Sequence, residues 1–486
     1  MAVVDSIMAR GRATPDKLAV LHNEQAFTYR AFAAHILAVR RFLEGRDIAR
    51  DRIAILCTRH NLSTWIVGLA LRSLGVDTAN AISIEDVASL DCPGATVVST
   101  AFEAHSWPGL EVAVVAAGHP FVLIPLDIYA DVEAIEIDPA APASWPGQGG
   151  HILRTSGTTG VYKKVLWDAA GIDALVALNA GPAGFSESTI LNDMQFPGWT
   201  WSGYGWPNLA WVVGGQVLLS QDQPLGRPYE KRATVAFVTP GWLDHVRAAP
   251  GELDLRNDAM TLFLVAGVLS KAQWEAARER LTRRIVATYG ATESCQLLYT
   301  PIETTEDLLW HRIDVAGTAE VVDEQDRPLP PGATGQVRLR TNFAGGYMDD
   351  PATTAAFFRH GYFYPGDLGV LSADSRLMLQ GRITDVINVS GAKIASLPIE
   401  TALQEALGAL GVCVFSMPGL DGEVVHVAVQ PGRPVNEGEV KAAVMAALPP
   451  ATVRIHMLEV LPRNAIGKIQ RTALRAQLLA HTPPSN

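Results

Sequence analysis

Residues 154–164 read Arg154-Thr155-Ser156-Gly157-Thr158-Thr159-Gly160-Val161-Tyr162-Lys163-Lys164, between an apolar run and a predicted helix. The glycines let successive backbone N–H groups point into one concavity, which suits phosphate oxygens. The hydroxyl groups add neutral donors, and lysine adds a point charge for a polyphosphate. Alone, such a cluster is more often a surface turn. The stretch lacks the G-x-x-x-x-G-K-[ST] pattern, which excludes a P-loop NTPase.

The composition is typical of a soluble globular protein with two or more domains. The chain has 486 residues, of which 48% are apolar and 18% are charged. Its net charge of −11 argues against a nucleic-acid partner. The four cysteines are scattered, so we expect neither disulfides nor a cysteine zinc site. No signal-peptide pattern and no apolar stretch of about 20 residues is present, so we expect a cytoplasmic protein without a membrane segment.

Short runs of β-branched residues alternate with alanine-rich segments along the first 300 residues. We predict strands over residues 52–57, 96–99, 111–116, 233–238 and 261–265, and helices over residues 62–74, 242–248 and 271–282. This alternation predicts an α/β fold with parallel-rich sheets covered by helices. After residue 315, shorter strands predict a small β-rich unit, and the last hundred residues are enough for one small α+β domain. Residues 139–150 are predicted to form an exposed connector.

A second informative segment is Thr288-Tyr289-Gly290-Ala291-Thr292-Glu293, which follows a predicted strand. An aromatic ring beside the bare backbone of Gly290 offers a flat surface for a purine. Glu293 offers a carboxylate oxygen to a magnesium ion that bridges phosphates. By itself, a strand-to-helix turn with an acidic first residue explains the same pattern.

Two more segments lie further along the chain. Asp367 ends the turn that begins at Gly361, and Arg382 follows shortly in Gly381-Arg382-Ile383-Thr384-Asp385. An aspartate at the end of a tight turn can accept both hydroxyls of a ribose, although such a residue also often caps its own backbone. Lys468 lies in Pro462-Arg463-Asn464-Ala465-Ile466-Gly467-Lys468. A single lysine there is most often a solvated charge.

Together and in this order, the four segments strongly resemble those of the adenylate-forming superfamily. This superfamily contains acyl-CoA synthetases, peptide-synthetase adenylation domains and firefly luciferase. The resemblance covers nearly the whole chain, since residues 13–17 and 27–30 resemble the family's N-terminal opening and Gly345-Gly346-Tyr347 resembles the motif before the Gly366-Asp367 pair. It implies an N-terminal adenylation domain over residues 1–381, a hinge at residues 382–385 and a mobile C-terminal lid over residues 386–486.

The resemblance also implies roles for individual residues. Lys468, from the lid, would be catalytic and bridge the carboxylate and the α-phosphate, and Glu293 would contact magnesium. The phosphate-binding residues would be Thr155, Ser156, Gly157, Thr158, Thr159, Gly160 and Lys163. The nucleotide-binding residues would be Tyr289, Gly290, Thr292, Asp367 and Arg382. Ser390 and Gly391 would line the tunnel for a thiol, and Trp199 and Gly267 would line the acyl pocket.

The implied activity is that of an AMP-forming ligase that uses ATP and Mg²⁺. A carboxylate is a poor electrophile, and attack on the α-phosphate of ATP gives an acyl-adenylate whose leaving group is AMP. The acyl group would then pass to a thiol, either of CoA or of a carrier-protein phosphopantetheine. Three alternatives stay open: a stand-alone enzyme that loads a carrier protein, a luciferase-type oxygenase, and a degenerate nucleotide-binding protein without turnover. We expect neither a nucleic-acid nor a membrane partner.

The sequence departs from the family pattern at the phosphate loop and at the acyl pocket, and Thr384 occupies the hinge position where Asp or Lys is more common in the family. Tyr162 and Lys164 replace a proline and a glycine at the end of the phosphate loop, which leaves open whether Lys163 or Lys164 meets the phosphates. The aromatic-histidine motif of the acyl pocket is missing, and a segment with several tryptophans replaces it. These tryptophans fit either a flat acyl group or core packing. No acid lies where an α-amino group would be held, since Asp193 has the wrong offset, so an aryl or other non-amino carboxylate is favoured.

Overall fold

The computed structural model describes most of the chain, in two compact units. The described residues are 3–22, 25–46, 48, 53–104, 107–135, 137, 147–156, 162–193, 196–219, 232–251, 254–294, 296–315, 317–341, 345–389, 392–419, 422–463 and 469–481. The first unit comprises Met1–Phe237, Gly290–Leu297 and Thr341–Gly361. The second unit comprises Val238–Tyr289, Leu298–Arg340 and Tyr362–Asn486.

The helices occur throughout both units. They are α1 (Val3–Ala13), α2 (Tyr29–Glu44), α3 (Asn61–Ser73), α4 (Ile84–Ser89), α5 (Ala101–Ala104), α6 (Leu110–Ala116), α7 (Ala169–Asn179), α8 (Trp201–Val213), α9 (Leu243–Ala248), α10 (Lys271–Arg280), α11 (Pro351–Phe357), α12 (Ser396–Leu407), α13 (Glu437–Ala447) and α14 (Arg471–His481). Within the described ranges, none of them has the length and apolar character needed to cross a membrane.

The strands are mostly short. They are β1 (Leu18–His22), β2 (Gln25–Thr28), β3 (Ala54–Cys57), β4 (Thr78–Ala81), β5 (Thr96–Thr100), β6 (Phe121–Ile124), β7 (His151–Ser156), β8 (Tyr162–Trp167), β9 (Ile190–Asp193), β10 (Gln216–Leu219), β11 (Val235–Val238), β12 (Thr261–Leu264), β13 (Arg284–Tyr289), β14 (Leu298–Pro301), β15 (Trp310–Arg312), β16 (Ala319–Val322), β17 (Thr334–Arg340), β18 (Phe358–Arg359), β19 (Tyr362–Phe363), β20 (Asp367–Leu371), β21 (Arg376–Arg382), β22 (Val386–Val389), β23 (Ala392–Ala395), β24 (Gly411–Gly419), β25 (Gly422–Gln430) and β26 (Val453–Met457).

The first unit is built on two parallel-rich sheets. One has the order β6-β5-β3-β4-β7-β8, and only its β7–β8 pair is antiparallel. The other has the order β11-β9-β10-β1-β2, and only its β1–β2 pair is antiparallel. Strands β3, β4 and β5 are buried at every position, as expected for a parallel sheet covered on both faces. The predicted α/β class is confirmed.

The second unit is richer in antiparallel pairs. Strand β13 pairs with β12 in parallel and with β14 antiparallel. The order β15-β21-β20-β17-β19, with β16 also on β17, forms an antiparallel sheet that agrees with the β-rich unit predicted after residue 315. Further along lie the β22–β23 hairpin and the sheet β24-β25-β26, whose core includes Ile387, Leu403 and Val427.

One predicted strand is wrong. Residues 111–116 belong to helix α6, which begins after Gly109 in a left-handed conformation at φ 82°. Leu110 and Val114 are 2% and 1% exposed, whereas Val112 is 74% exposed. This burial follows the i, i+4 spacing of a helix and not the alternation of a strand. The prediction gave too much importance to β-branched composition and too little to spacing.

Candidate active site

The hairpin formed by β7 and β8 fixes the direction of the two lysines that follow the phosphate loop. Thr155 lies opposite Lys163, and Arg154 lies opposite Lys164. Because paired residues share a face and successive residues alternate, Thr155 and Lys163 lie on one face and Lys164 lies on the other. Of the predicted phosphate-binding residues, Gly157, Thr158, Thr159 and Gly160 are outside the described residues. Ser156 is described by its backbone only.

Lys164 is held by the chain around the end of α4. Its Nζ donates to the carbonyl oxygens of Leu90 and Asp91 at 3.0 and 3.1 Å and lies 3.6 Å from Asp349 Oδ2. The side chain is 13% exposed. Lys164 therefore binds the carbonyl groups that directly follow a short helix, next to a helix C-terminus that a cation stabilises.

Lys163 lies against two aromatic rings on the other face of the hairpin. Its Nζ is 4.7 Å from the ring centre of Tyr347 and 3.6 Å from that of Phe357. The Tyr347 hydroxyl donates to Glu293 Oε1 at 2.8 Å. Glu293 is 6% exposed, and its carbonyl oxygen accepts the Thr341 hydroxyl at 2.9 Å. Tyr347 thus joins the predicted phosphate lysine to the predicted magnesium ligand.

The residues just before Glu293 are tightly placed. A Cβ added at Gly290 would come within 2.9 Å of the Gln296 carbonyl oxygen and would also meet the Leu297 side chain. Gly290 is therefore required by close approach of the backbone. Thr292 is half-buried beside Glu293. The segment presents one buried carboxylate at the end of a compact turn.

Glu293 is suited to a magnesium ion that arrives with a polyphosphate. The described part of the chain contains no group of three or more His, Cys, Asp or Glu residues placed to hold a metal. Mg²⁺ commonly takes one or two carboxylates and completes its ligands with substrate phosphates and water. A single buried carboxylate fits that pattern, and it does not fit a metal site made by protein ligands alone.

In the second unit, the structure brings together three residues predicted to bind the nucleotide. The Tyr289 hydroxyl donates to Asp367 Oδ2 at 2.7 Å, and Arg382 Nε lies 2.8 Å from Asp367 Oδ1. Asp367 and Arg382 are also register partners on β20 and β21. Burial and the Asp367 carboxylate raise the pKa of Tyr289 well above its ordinary value, so its hydroxyl stays protonated. These residues are separated by up to 93 positions (382 − 289) in the sequence.

His311 is a neighbour of this cluster that lies in no sequence motif and was not among the predicted site residues. Its ring centre lies 5.5 Å from that of Tyr289. Burial lowers the pKa of His311 to about 4, so the imidazole is neutral near pH 7. Its position on β15 follows from the antiparallel pairing with β21.

In the segment after β9, Trp199 is less buried than Trp206 and Trp211. Trp206 stacks on Phe237 with ring centres 3.7 Å apart, and Trp211 donates its indole N–H to the Ala19 carbonyl at 3.0 Å. Both are about 2% exposed or less and belong to the core. Trp199 is half-buried, and the Arg154 guanidinium lies 4.5 Å from its ring centre. Among these three tryptophans, only Trp199 therefore stays a candidate for the acyl pocket.

The two residues predicted for the acyl pocket belong to different units. Trp199 is in the first unit, and Gly267 is in the second. Gly267 is exposed, and a Cβ added there would come within 3.2 Å of the Pro240 ring. Asp193, considered for an amino group, accepts a hydrogen bond from Asn61 Nδ2 at 2.7 Å and is 6% exposed.

A small cavity in the first unit lies behind Gly198. Its polar lining includes Arg72, Asn80, His151 and Tyr204. His151 Nε2 contacts the Gly198 carbonyl at 3.0 Å and Nδ1 contacts the Thr78 hydroxyl at 2.8 Å. Burial, together with the nearby arginines, lowers the pKa of His151 to about 3. The neutral imidazole thus links strand β7 to the Gly198 carbonyl, directly before Trp199 in the sequence.

The part of the chain predicted to form the hinge and the lid contains a partly buried ionic network around Arg471, the first residue of α14. Arg471 Nε lies 2.9 Å from Asp385 Oδ2, Nη2 lies 2.8 Å from Glu400 Oε1, and Nη1 donates to the Val414 carbonyl at 2.9 Å. Burial raises the pKa of Glu400. The backbone of Gln470 donates to the Pro462 carbonyl at 2.8 Å. Lys468, Ser390 and Gly391 lie outside the described residues.

Residues 93–348 match the family model of AMP-binding enzymes, which is more than half of the chain. The chain belongs to this family of AMP-binding enzymes, the adenylate-forming superfamily that its motifs resemble.

Two relatives and one solved structure illustrate the similarity. A probable non-canonical nonribosomal peptide synthetase, CymA of Salinispora arenicola, is 26% identical over 96% of this chain, which spans only 6% of that protein. A 4-chlorobenzoate–CoA ligase of an Arthrobacter species is 25% identical over 96% of this chain and 93% of its own length. ATP-bound MatB from Rhodopseudomonas palustris has a TM-score of 0.82 at 20% identity, covering 98% of this chain and 99% of that chain. The last likeness shows the fold.

Proposed function

We propose that this protein is an AMP-forming ligase that activates a carboxylic acid with ATP and transfers the acyl group to a thiol. The observation that carries the proposal is the Tyr289–Asp367–Arg382 cluster, because motifs far apart in the sequence meet in one hydrogen-bonded group. Tyr289 would pack on adenine, and Asp367 with Arg382 would hold the ribose. Gly290 and Thr292 are proposed to bind the nucleotide as well.

We assign the binding of the β- and γ-phosphates of ATP to residues of the first unit. Lys163, Thr155 and Ser156, with Gly157, Thr158, Thr159 and Gly160, would hold the β- and γ-phosphates. Glu293 would contribute one ligand to Mg²⁺, which supplies charge neutralisation on the phosphates when it is bound. The proximity of Lys163 and Glu293 through Tyr347 supports this assignment.

In the first half-reaction, a carboxylate oxygen forms a bond to the α-phosphorus of ATP, and the bond to the β-phosphate oxygen breaks to release pyrophosphate. Two anions meet in this step, so a positioned cation lowers its barrier. We assign that role to Lys468. In the second half-reaction, a thiol attacks the acyl carbon, loses its proton and displaces AMP. Ser390 and Gly391 would line the path of the thiol arm.

The domain arrangement belongs to the same proposal. Residues 1–381 would form the adenylation domain, and residues 386–486 would form a lid that moves about residues 382–385. Each half-reaction would use one lid position, so that Lys468 acts in the first and Gly391 in the second.

The acid is proposed to be an aryl or other non-amino carboxylate. The hydrogen bond between Asp193 and Asn61 ties up the carboxylate considered for an α-amino group. The similarity to a 4-chlorobenzoate–CoA ligase over nearly the full length of both proteins supports an aryl acid and CoA as acceptor. The similarity to part of a peptide synthetase supports a carrier-protein thiol as the second candidate.

The test is ATP–pyrophosphate exchange over a panel of aryl, fatty and amino acids, followed by addition of CoA or a pantetheinylated carrier protein. We expect exchange with aryl acids, and Lys468→Ala should lower its rate by about 100- to 1,000-fold while ATP binding is retained. Lys441→Ala, at an exposed lysine on α13, is the matched control and should leave the rate unchanged. No exchange with any acid, or unchanged exchange in Lys468→Ala, would overturn the proposal.

A further inference from the structure

Arg154 contacts two aromatic rings that come from different parts of the first unit. Its guanidinium carbon lies 4.5 Å from the ring centre of Trp199 and 5.5 Å from that of Tyr162. Both distances are within the range of a cation–π contact. Tyr162 begins β8 at the end of the phosphate loop, and Trp199 lies in the segment predicted to border the acyl pocket.

The Arg154 guanidinium is held in place by polar partners as well as by the rings. Nη1 donates to Asp86 Oδ1 at 3.0 Å, and Nη2 donates to the Asn80 carbonyl at 2.8 Å. The residue is 5% exposed. Its backbone N–H also donates to the Trp199 carbonyl at 2.8 Å. Arg154 therefore holds Trp199 by both main chain and side chain.

Tyr162 and Trp199 lie where the sequence departs from the family pattern in the phosphate loop and in the acyl pocket. Tyr162 replaces a proline, whose ring would restrict the backbone at the end of the loop. Trp199 lies in the segment that lacks the aromatic-histidine motif. In the structure, the Arg154 guanidinium contacts the rings of both residues. Because this guanidinium is fixed, the Tyr162 ring beside it restrains the end of a loop that has lost its proline.

We infer that Arg154 is a positioning residue that couples the phosphate loop to the acyl segment. Through Tyr162 and Trp199, the binding of ATP affects the binding of the acid, and the binding of the acid affects that of ATP. The inference rests on the proposed function for the identity of the two sites. It does not require Arg154 to touch either substrate. Its consequence is that a substitution in the loop changes acid binding and that a substitution in the acyl segment changes ATP binding.

The coupling is tested first by kinetics. Tyr162→Ala should raise the KM for the acid in pyrophosphate exchange about fivefold, the worth of one cation–π contact, and Tyr162→Phe should restore it because the ring remains. Arg154→Lys keeps a cation beside Asp86 but loses the planar group that stacks on both rings. The double variant Arg154→Lys/Tyr162→Ala should then have the acid KM of Arg154→Lys alone, since both substitutions break the same path.

Equilibrium dialysis of ATP tests the coupling without turnover. Trp199→Ala should weaken ATP binding about fivefold, and Trp199→Phe, which keeps a ring, should weaken it less. Phe42→Ala is the matched control, because the Phe42 ring on α2 has a similar contact, 3.8 Å from the ring centre to the Arg46 guanidinium. Its removal should change neither the acid KM nor ATP binding. Thermal unfolding of each variant separates these effects from loss of the fold.

The outcomes distinguish the inference from the proposed function. Wild-type protein that binds ATP but exchanges with no acid overturns the proposed function, while a weaker ATP binding in Trp199→Ala still supports the coupling. The coupling is overturned if Tyr162→Ala changes the KM for ATP but not the KM for the acid. It is also overturned if the effects of Arg154→Lys and Tyr162→Ala on the acid KM multiply in the double variant. ATP binding that is unchanged in Trp199→Ala also overturns it.

Discussion

At the scale of single residues, Tyr347 is the side chain that joins two predicted functions. Its ring lies beside Lys163 and its hydroxyl bonds to Glu293, so it orients the carboxylate proposed to meet magnesium. Tyr347→Phe keeps the ring and removes the hydrogen bond. We expect the Mg²⁺ concentration for half-maximal pyrophosphate exchange to rise about tenfold, because residues that orient a metal ligand commonly have effects of this size.

Tyr362→Phe is the control for this substitution. It removes a comparable hydrogen bond, from the Tyr362 hydroxyl to Glu320 Oε1 at 3.0 Å, at a position outside the proposed site. Its magnesium dependence should match that of the wild type. An unchanged magnesium dependence in Tyr347→Phe would show that Glu293 does not need this bond or does not meet the metal.

The sequence motifs predict roles for Glu293 and Lys163, but they do not predict the contact that links the two residues. Tyr347 was visible only as part of a glycine-rich motif, 54 positions from Glu293. A hydroxyl-to-carboxylate contact between distant segments has no local pattern, because it depends on the tertiary fold. Tyr289, Asp367 and Arg382 were selected because each lies in its own recognisable motif, whereas His311 lies in none.

At the scale of secondary-structure elements, the β7–β8 hairpin places two adjacent lysines in different surroundings. Lys163 faces the aromatic rings near Glu293, and Lys164 caps carbonyl groups after α4. We expect Lys163→Ala to raise the KM for ATP about tenfold or more, because a charge-assisted phosphate contact is lost. Lys164→Ala should leave that KM unchanged and lower thermal stability instead. Parallel measurement of exchange kinetics and melting temperature checks both.

The two lysines are matched controls for each other. They are neighbours in sequence and of the same type, so nonspecific effects of charge removal are equal. If Lys164→Ala raises the KM for ATP more than Lys163→Ala does, then Lys164 and not Lys163 contacts the phosphates.

The elements themselves were largely predictable, with one informative failure. The predicted strands near residues 54, 96, 235 and 261 are present as β3, β5, β11 and β12 because buried parallel strands read as continuous apolar runs. Helix α6 was missed because its valines carry strand propensity, although Leu110 and Val114 alone face the core. Composition could not decide whether tryptophans on α8 were core or pocket, since both uses bury aromatic area.

At the scale of the whole molecule, both units contain a histidine that burial keeps neutral. The pKa of His151 is lowered to about 3 in the first unit, and that of His311 to about 4 in the second. Between its ordinary pKa of about 6.5 and the lowered value, each histidine binds a proton in the unfolded chain but not in the folded chain. The free energy of unfolding therefore falls as pH falls through this window, for His151 by about 1.4 kcal/mol per pH unit.

Denaturant unfolding between pH 7 and pH 4 measures this dependence. In His151→Gln, the first unit should be less stable at pH 7 and should lose less stability on acidification than the wild type does. His245→Gln, at an exposed histidine on α9, should keep the wild-type slope. A slope in His151→Gln equal to that of the wild type would contradict the neutral state of His151.

The network around Arg471 has a consequence for the order in which the chain acquires its structure. Glu400 precedes Arg471 by 71 positions, so a ribosome completes α12 and β24 well before it reaches α14. Until the guanidinium emerges, the carboxylates of Asp385 and Glu400 have no arginine to offset the loss of water, and burying them is costly. The buried cluster that includes Leu403 and Val427 is made by residues 387–448. It is therefore complete before α14 is translated, and Arg471 then supplies the positive charge that Glu400 lacks until that point.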